Sequence, residues 1–187
     1  SSYRAVHYDD KDKSLSKAEK ETKLEEATRI HLQCIDNLDQ AAAILESLPE
    51  RDERWWSQFA RVLNIRMLVE SRYYSLEGLP SQYGSMAERL ASWSEQTQLV
   101  ADYVEVLPLD RGRAVRFELA ICYSNWADCY RDIFLFDYPQ PIKDDDFAEH
   151  RRLRMQALRI LEVAPRQVRS ERHIENLALN HSRDLFM

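Results

Sequence analysis

Few side chains in this chain stand where chemistry could be done, and the most telling are polar residues that intrude on apolar helical patterns. Arg66 and Glu70 lie one turn apart in a stretch otherwise dense in Trp, Phe, Tyr, Val, Ile, Leu and Met. Glu118, Asn125 and Asp132 recur every seven residues in a second such stretch, so a helix would carry them as one stripe. Unpaired charge in an apolar interior is costly, so groups like these need partners if they are buried. One expectation is an internal network, for instance Arg66 with Glu118. The other is that the two stripes line a groove where a peptide or helix of a protein partner docks. Trp55 and Tyr73, each a member of an aromatic doublet, would then serve as anchors.

A second cluster is cationic. From His150 to Met187 there are eight arginines against four acids, whereas residues 1–149 hold 18 cations against 28 acids. Arg151, Arg152, Arg154 and Arg159 fall on one expected helix. Arg166, Arg169, His173, Asn176 and Asn180 follow a 3-4-3-4 rhythm on the next. The plain expectation is a solvated face, paired with the acidic remainder of the chain. The functional alternative is an anion or nucleic-acid-binding face formed by Arg151, Arg152, Arg159, Arg166, Arg169 and His173. No helix-turn-helix, zinc-finger or RNA-binding signature accompanies it.

Catalytic chemistry finds little support. There is no Glu-x-x-His for a bundle metal site, no Cys-x-x-Cys, and no Gly-x-Ser-x-Gly. Asp144–Asp146 with Glu149 and His150 read as the charged start of a helix rather than as metal ligands. His31, one turn from Cys34 on an apolar seam, reads as a hydrogen-bonded core histidine. Only three glycines occur among 187 residues, which removes glycine-rich phosphate loops. The expectation is therefore no catalytic residue, no metal and no cofactor.

The elements that would position these residues are marked by proline. Proline lacks an amide hydrogen and clashes with the preceding turn, so it belongs at helix boundaries. The prolines at 49, 80, 108, 139, 141 and 165 each follow a helical apolar pattern and interrupt none. Leu45-Glu-Ser-Leu-Pro49, Leu76-Glu-Gly-Leu-Pro80, Val104-Glu-Val-Leu-Pro108 and Leu161-Glu-Val-Ala-Pro165 repeat one ending. Six helices are expected, over about 15–47, 52–76, 82–107, 112–136, 145–163 and 167–185. Ser16-x-x-Glu19 offers a capping box for the first, which is expected to break near Asp36-Asn37. Residues 1–13 have no period and read as a disordered or extended arm, and 14–187 as a single all-helical domain. Short connections make sequential helices antiparallel.

The second and fourth helices are apolar over most of their circumference, so they should be central and point the same way. The fold class is thus all-α. It reads as an α-hairpin array, tetratricopeptide-like at its Leu-x-x-Leu-Pro ends, or as a compact helical bundle. The 34-residue unit and Trp/Leu/Gly/Tyr/Ala/Pro signature of true tetratricopeptide repeats are missing.

Three cysteines, odd in number and in apolar context, read as free thiols in a reducing compartment, hence an intracellular protein, cytoplasmic or nuclear. No stretch is apolar for long enough to cross a membrane. The net charge of −6 argues against a general polyanion binder. The chain begins Ser-Ser and ends Asp-Leu-Phe-Met, which reads as a piece of a longer helical protein. The expectation for function is a non-enzymatic interaction or scaffold module of a larger assembly, with a nucleic-acid-associated subunit as the alternative.

Overall fold

A computed structural model describes residues 16–77, 86–130 and 144–163 of the chain. It is all-helical, with five helices among the described residues: α1 (Lys17–Ser47), α2 (Glu53–Glu77), α3 (Met86–Glu105), α4 (Arg113–Tyr130) and α5 (Asp144–Val163). The arm expected over 1–13 and the sixth helix expected over 167–185 lie outside the described residues. No described helix is long and apolar enough to cross a membrane.

The helix ends follow from local chemistry. Ser16 accepts from the Glu19 amide while the Glu19 carboxylate accepts from the Ser16 amide, which closes the capping box at α1. The Ser16 hydroxyl, which donates to the Glu19 carboxylate at 2.6 Å, and then the Ser16 amide hold the Glu19 carboxyl below its ordinary range. Asp52 receives the Trp55 amide at 2.8 Å and starts α2 in the same manner. The expected break at Asp36-Asn37 is absent. Both residues are exposed, and Asp36 accepts from Gln40 one turn on, so neither side chain competes for the backbone.

Side-chain pairs fix the directions. Asp39 meets Arg66 while Leu45 meets Trp55, so α1 and α2 are antiparallel. Glu70 meets Trp93 while Trp56 meets Tyr103, so α2 and α3 are antiparallel too. Ala60 meets Cys122 and Met67 meets Cys129, so α2 and α4 run parallel. Arg154 reaches Ser124 and His150 reaches Ala127, which sets α5 antiparallel to α4. Helix α2 therefore packs on α1, α3 and α4, and α4 packs on α2, α3 and α5. The expected central pair is observed.

The α2–α4 seam shows why. The Cys122 and Cys129 thiols donate to the carbonyls of Ala60 and Met67, at 3.5 and 3.7 Å. Seven residues separate both donors and acceptors, so one contact repeats after two turns. Small thiols let the two backbones approach, and burial pushes the Cys122 thiol far above its ordinary value. Around this seam Leu63, Trp93, Val100, Val115, Leu119 and Leu153 form the main core.

Two buried cations tie neighbouring elements together. The Arg116 guanidinium donates to the carbonyls of Val104, Leu107, Pro108 and Arg111, at 2.9 to 3.3 Å. Val104 lies in the last turn of α3 and the other three in the connection that follows, so an α4 cation gathers the carbonyls of that connection, in addition to the amides that Leu107 and Arg111 give to Val104 and Pro108. Gly112 turns the chain into α4 at φ +69°, a conformation that glycine adopts without strain. On α5, Arg154 is buried, donates to Ser124 at 2.7 Å and pairs with Asp128.

Candidate interaction groove

Among the described residues a concavity lies between α1 and α3, with a volume of about 490 Å³. Its floor is one face of α2: Trp55, Trp56, Phe59, Val62, Leu63 and Arg66. Asp39, Ala42, Ala43 and Glu46 of α1 form one wall, Gln96 and Leu99 of α3 the other, and Arg51 stands at one end.

The aromatic doublet builds this floor. Adjacent helical residues project about 100° apart, so two neighbouring indoles must serve two partners. Trp55 is buried and donates its indole N–H to the Leu45 carbonyl at 2.6 Å, which ties α2 to the end of α1. Trp56 stacks on Tyr103 of α3, centroids 4.8 Å apart and planes 15° from parallel. Phe59, one turn on, stacks on Trp55 at 5.1 Å. Each anchor grips a different neighbour, so α1 and α3 are held apart across the width of α2. Leu99 remains 48% exposed on the α3 wall, an apolar side chain with room above it.

Asp39, Arg51 and Arg66, three of the four charged residues that line the groove, are already engaged. Arg66 lies 2.6 Å from Asp39 and 3.6 Å from Glu70. Arg51 sits over the Trp55 ring, 4.8 Å from its centroid. Beneath Arg66, Glu70 is fully buried, accepts the Trp93 indole N–H at 3.0 Å and lies 3.7 Å from Arg89. Burial raises the Glu70 carboxyl above its ordinary value, against the pull of both arginines and the indole. Asp39, Arg66, Glu70, Arg89 and Trp93 thus make one chain of contacts across α1, α2 and α3.

The expected partner-binding residues separate into three places. Trp55 and Arg66 line the groove. Glu70 lies in the core behind it. Glu118 and Asn125 sit at the α2–α4 seam, where Asn64 donates to Glu118 at 3.0 Å and Asn125 donates to Asn64 at 3.4 Å. The cation near Glu118 is Arg61 at 3.5 Å rather than Arg66, because Arg66 turns towards α1. Tyr73 belongs to α2, but its side chain, like all of Asp132, lies outside the described residues.

Of the arginines expected as an anion-binding face, Arg151 and Arg159 are exposed on α5. Arg152 forks onto Glu149 through bonds of 2.6 and 2.7 Å, and this partner lowers the Glu149 carboxyl. Arg154, on the same helix but not part of that expected face, points inward. Arg166, Arg169 and His173 lie outside the described residues.

His31 is buried and its Nδ1 donates to the Ala27 carbonyl at 2.7 Å, the core role expected. His150 is likewise buried, with Nδ1 donating to Ala127 at 2.9 Å. Among the described residues no three His, Cys, Asp or Glu side chains converge as a metal would require.

Sequence reasoning missed Asp39, Glu46, Trp56, Phe59 and Leu99 as groove residues. The doublet signalled Trp56, and the lack of any Lys or Arg over 30–47 left Asp39 and Glu46 as the charges that α1 brings to the groove. Leu99 falls off the main apolar seam of its helix, which was the available sign of exposure. Comparison with protein-family models, curated proteins and solved structures finds no match.

Proposed function

We propose that this chain is a non-enzymatic interaction and scaffold module of a larger intracellular assembly, and that the α1–α3 groove docks a segment of a protein partner. The observation that carries the reading is the open aromatic floor. Trp56, Phe59 and Leu99 present apolar surface inside a concavity whose shape is fixed by packing and hydrogen bonds on both sides. Rigid aromatic anchors in a preformed groove suit peptide or helix recognition. Cys34, Cys122 and Cys129 are free thiols, which suits a reducing compartment.

The packing supports an α-hairpin array over a closed bundle. Sequential helices pack on each other and α2 packs parallel on α4, whereas α1 and α5 make no substantial contact with one another. Stacked hairpins of this tetratricopeptide-like kind leave grooves between neighbouring helices.

Site-specific photo-crosslinking tests the reading. A cross-linker at Ala43 or at Leu99, on opposite walls, should capture the same identified protein from cells, with or without nuclease. A cross-linker at Arg159 on α5 should not capture it. Capture from Arg159 alone, lost with nuclease, would replace this reading with the nucleic-acid one.

A further inference from the structure

A buried carboxylate behind the groove shares a cation with one of its walls. Glu70 Oε2 accepts the Trp93 indole N–H, while Oε1 lies 3.6 Å from Arg66 Nη1 and 3.7 Å from Arg89 Nη1. Oε1 is shut off from solvent and accepts no hydrogen bond among the described residues. A carboxylate oxygen buried in this way is ordinarily met by a donor. Arg66 is drawn outward instead, with its Nη2 2.6 Å from Asp39 Oδ1. Side-chain exposure rises along this path, from 1% at Glu70 to 14% at Arg66 and 53% at Asp39. One guanidinium thus stands between a core carboxylate and a carboxylate of the α1 wall.

Each element packed here brings its own groups to Glu70. Helix α1 brings Asp39, α2 brings Arg66, and α3 brings Arg89 and Trp93. Helix α4 faces the preceding turn of α2 with Cys129, whose thiol donates to the Met67 carbonyl. Burial is the strongest influence and disfavours the ionised carboxyl, as Asp39 does, while Arg89, Arg66 and Trp93 favour it. The proton is therefore taken up above the ordinary carboxylate value. The two states treat Arg66 differently. An ionised Oε1 attracts both guanidinium groups. A protonated Oε1 offers no charge and sets a donor against donors. Arg66 then answers to Asp39 alone.

We propose that Glu70, Arg66 and Asp39 form a proton-sensitive link, in which protonation of Glu70 in the core releases Arg66 towards Asp39 and resets the α1 wall of the groove. The link needs no partner, so it can fail while the docking reading stands, and stand if that reading fails.

NMR of the isotopically labelled full chain between about pH 4 and 8 tests it. The Trp93 indole N–H reports on Glu70, the Arg66 Nε–H on the shared guanidinium, and the Asp39 amide on the wall. All three should move through one transition with a common midpoint above the ordinary carboxylate value. The Trp55 indole, bonded to the Leu45 carbonyl, should stay still. In Glu70→Gln this shared transition should vanish from all three signals. Asp39→Asn changes a half-exposed residue and should fold. It removes the repulsion of Asp39 and leaves Arg66 to Glu70, so the Trp93 midpoint should shift to lower pH.

A Trp93 transition with Arg66 and Asp39 unmoved would overturn the link and leave Glu70 a buried acid without reach to the wall. The same transition persisting in Glu70→Gln would assign it to another group and overturn the link as well. If Glu70→Gln does not fold, Asp39→Asn decides: an unmoved Trp93 midpoint overturns the link. Absence of any shared transition in the wild-type chain also overturns it.

Discussion

Trp56 lies flat on Tyr103, with centroids 4.8 Å apart, while the adjacent Trp55 gives its indole N–H to the Leu45 carbonyl at 2.6 Å. Two consecutive residues of α2 thus hold α3 on one side and α1 on the other. The groove is the space their divergence leaves. A double-mutant cycle of Trp56→Leu and Tyr103→Leu should give a coupling of about 0.5–1.5 kcal/mol in urea denaturation. A coupling near zero would mean that the stack does not hold α3.

Arg116 should be the costliest polar residue to remove. It serves the Val104 carbonyl in the last turn of α3 and three carbonyls of the connection to α4, from a site only 7% exposed. Arg116→Met keeps much of the packing and removes all four bonds, although Val104 and Pro108 keep backbone amide donors. A loss of about 2–4 kcal/mol is expected from the urea midpoint. Arg159→Met on exposed α5 should change stability by under about 0.5 kcal/mol.

Gly112 should resist substitution. An added Cβ would meet Leu107 Cδ1 at 2.5 Å, and φ is +69°. Both effects oppose Ala, so Gly112→Ala should cost about 1–3 kcal/mol. Thermal melts against the wild-type chain would show it.

Glu70 gives the fold a definite pH signature. Burial raises its carboxyl, so the folded state binds more protons than the unfolded state between the ordinary value and the raised one. Stability from this group is full below the ordinary carboxylate value and falls as pH rises through the folded value. Glu70→Gln removes the titration. Wild-type stability minus that of Glu70→Gln should therefore decrease from pH 4 towards neutrality. A difference that grew with pH would mean that Arg66 and Arg89 outweigh burial.

Much of this fold was legible before any coordinates. Pro49 and Pro108 mark the ends of α1 and α3, and the Ser16–Glu19 box marks the start of α1 within two residues. The apolar pattern of α2 and α4 identified the central parallel pair, because a helix apolar nearly all round must be covered on most sides. The site was less legible. Arg66 could reach partners on either side of α2, and only packing sends it to Asp39 rather than Glu118. Arg154 read as one of four surface arginines on its helix, yet Ser124 and Asp128 draw it inward. One-dimensional periodicity gives a residue's face but not which neighbour covers that face, and the groove is a property of neighbours.

Amide hydrogen exchange of the full chain, with and without the protein captured from Ala43 and Leu99, tests the central claim most directly. Slowed exchange confined to residues 39–46 of α1 and 96–103 of α3 is the expected result, with α5 unchanged. Protection centred on residues 150–160 of α5, with the groove walls unaffected, would contradict it.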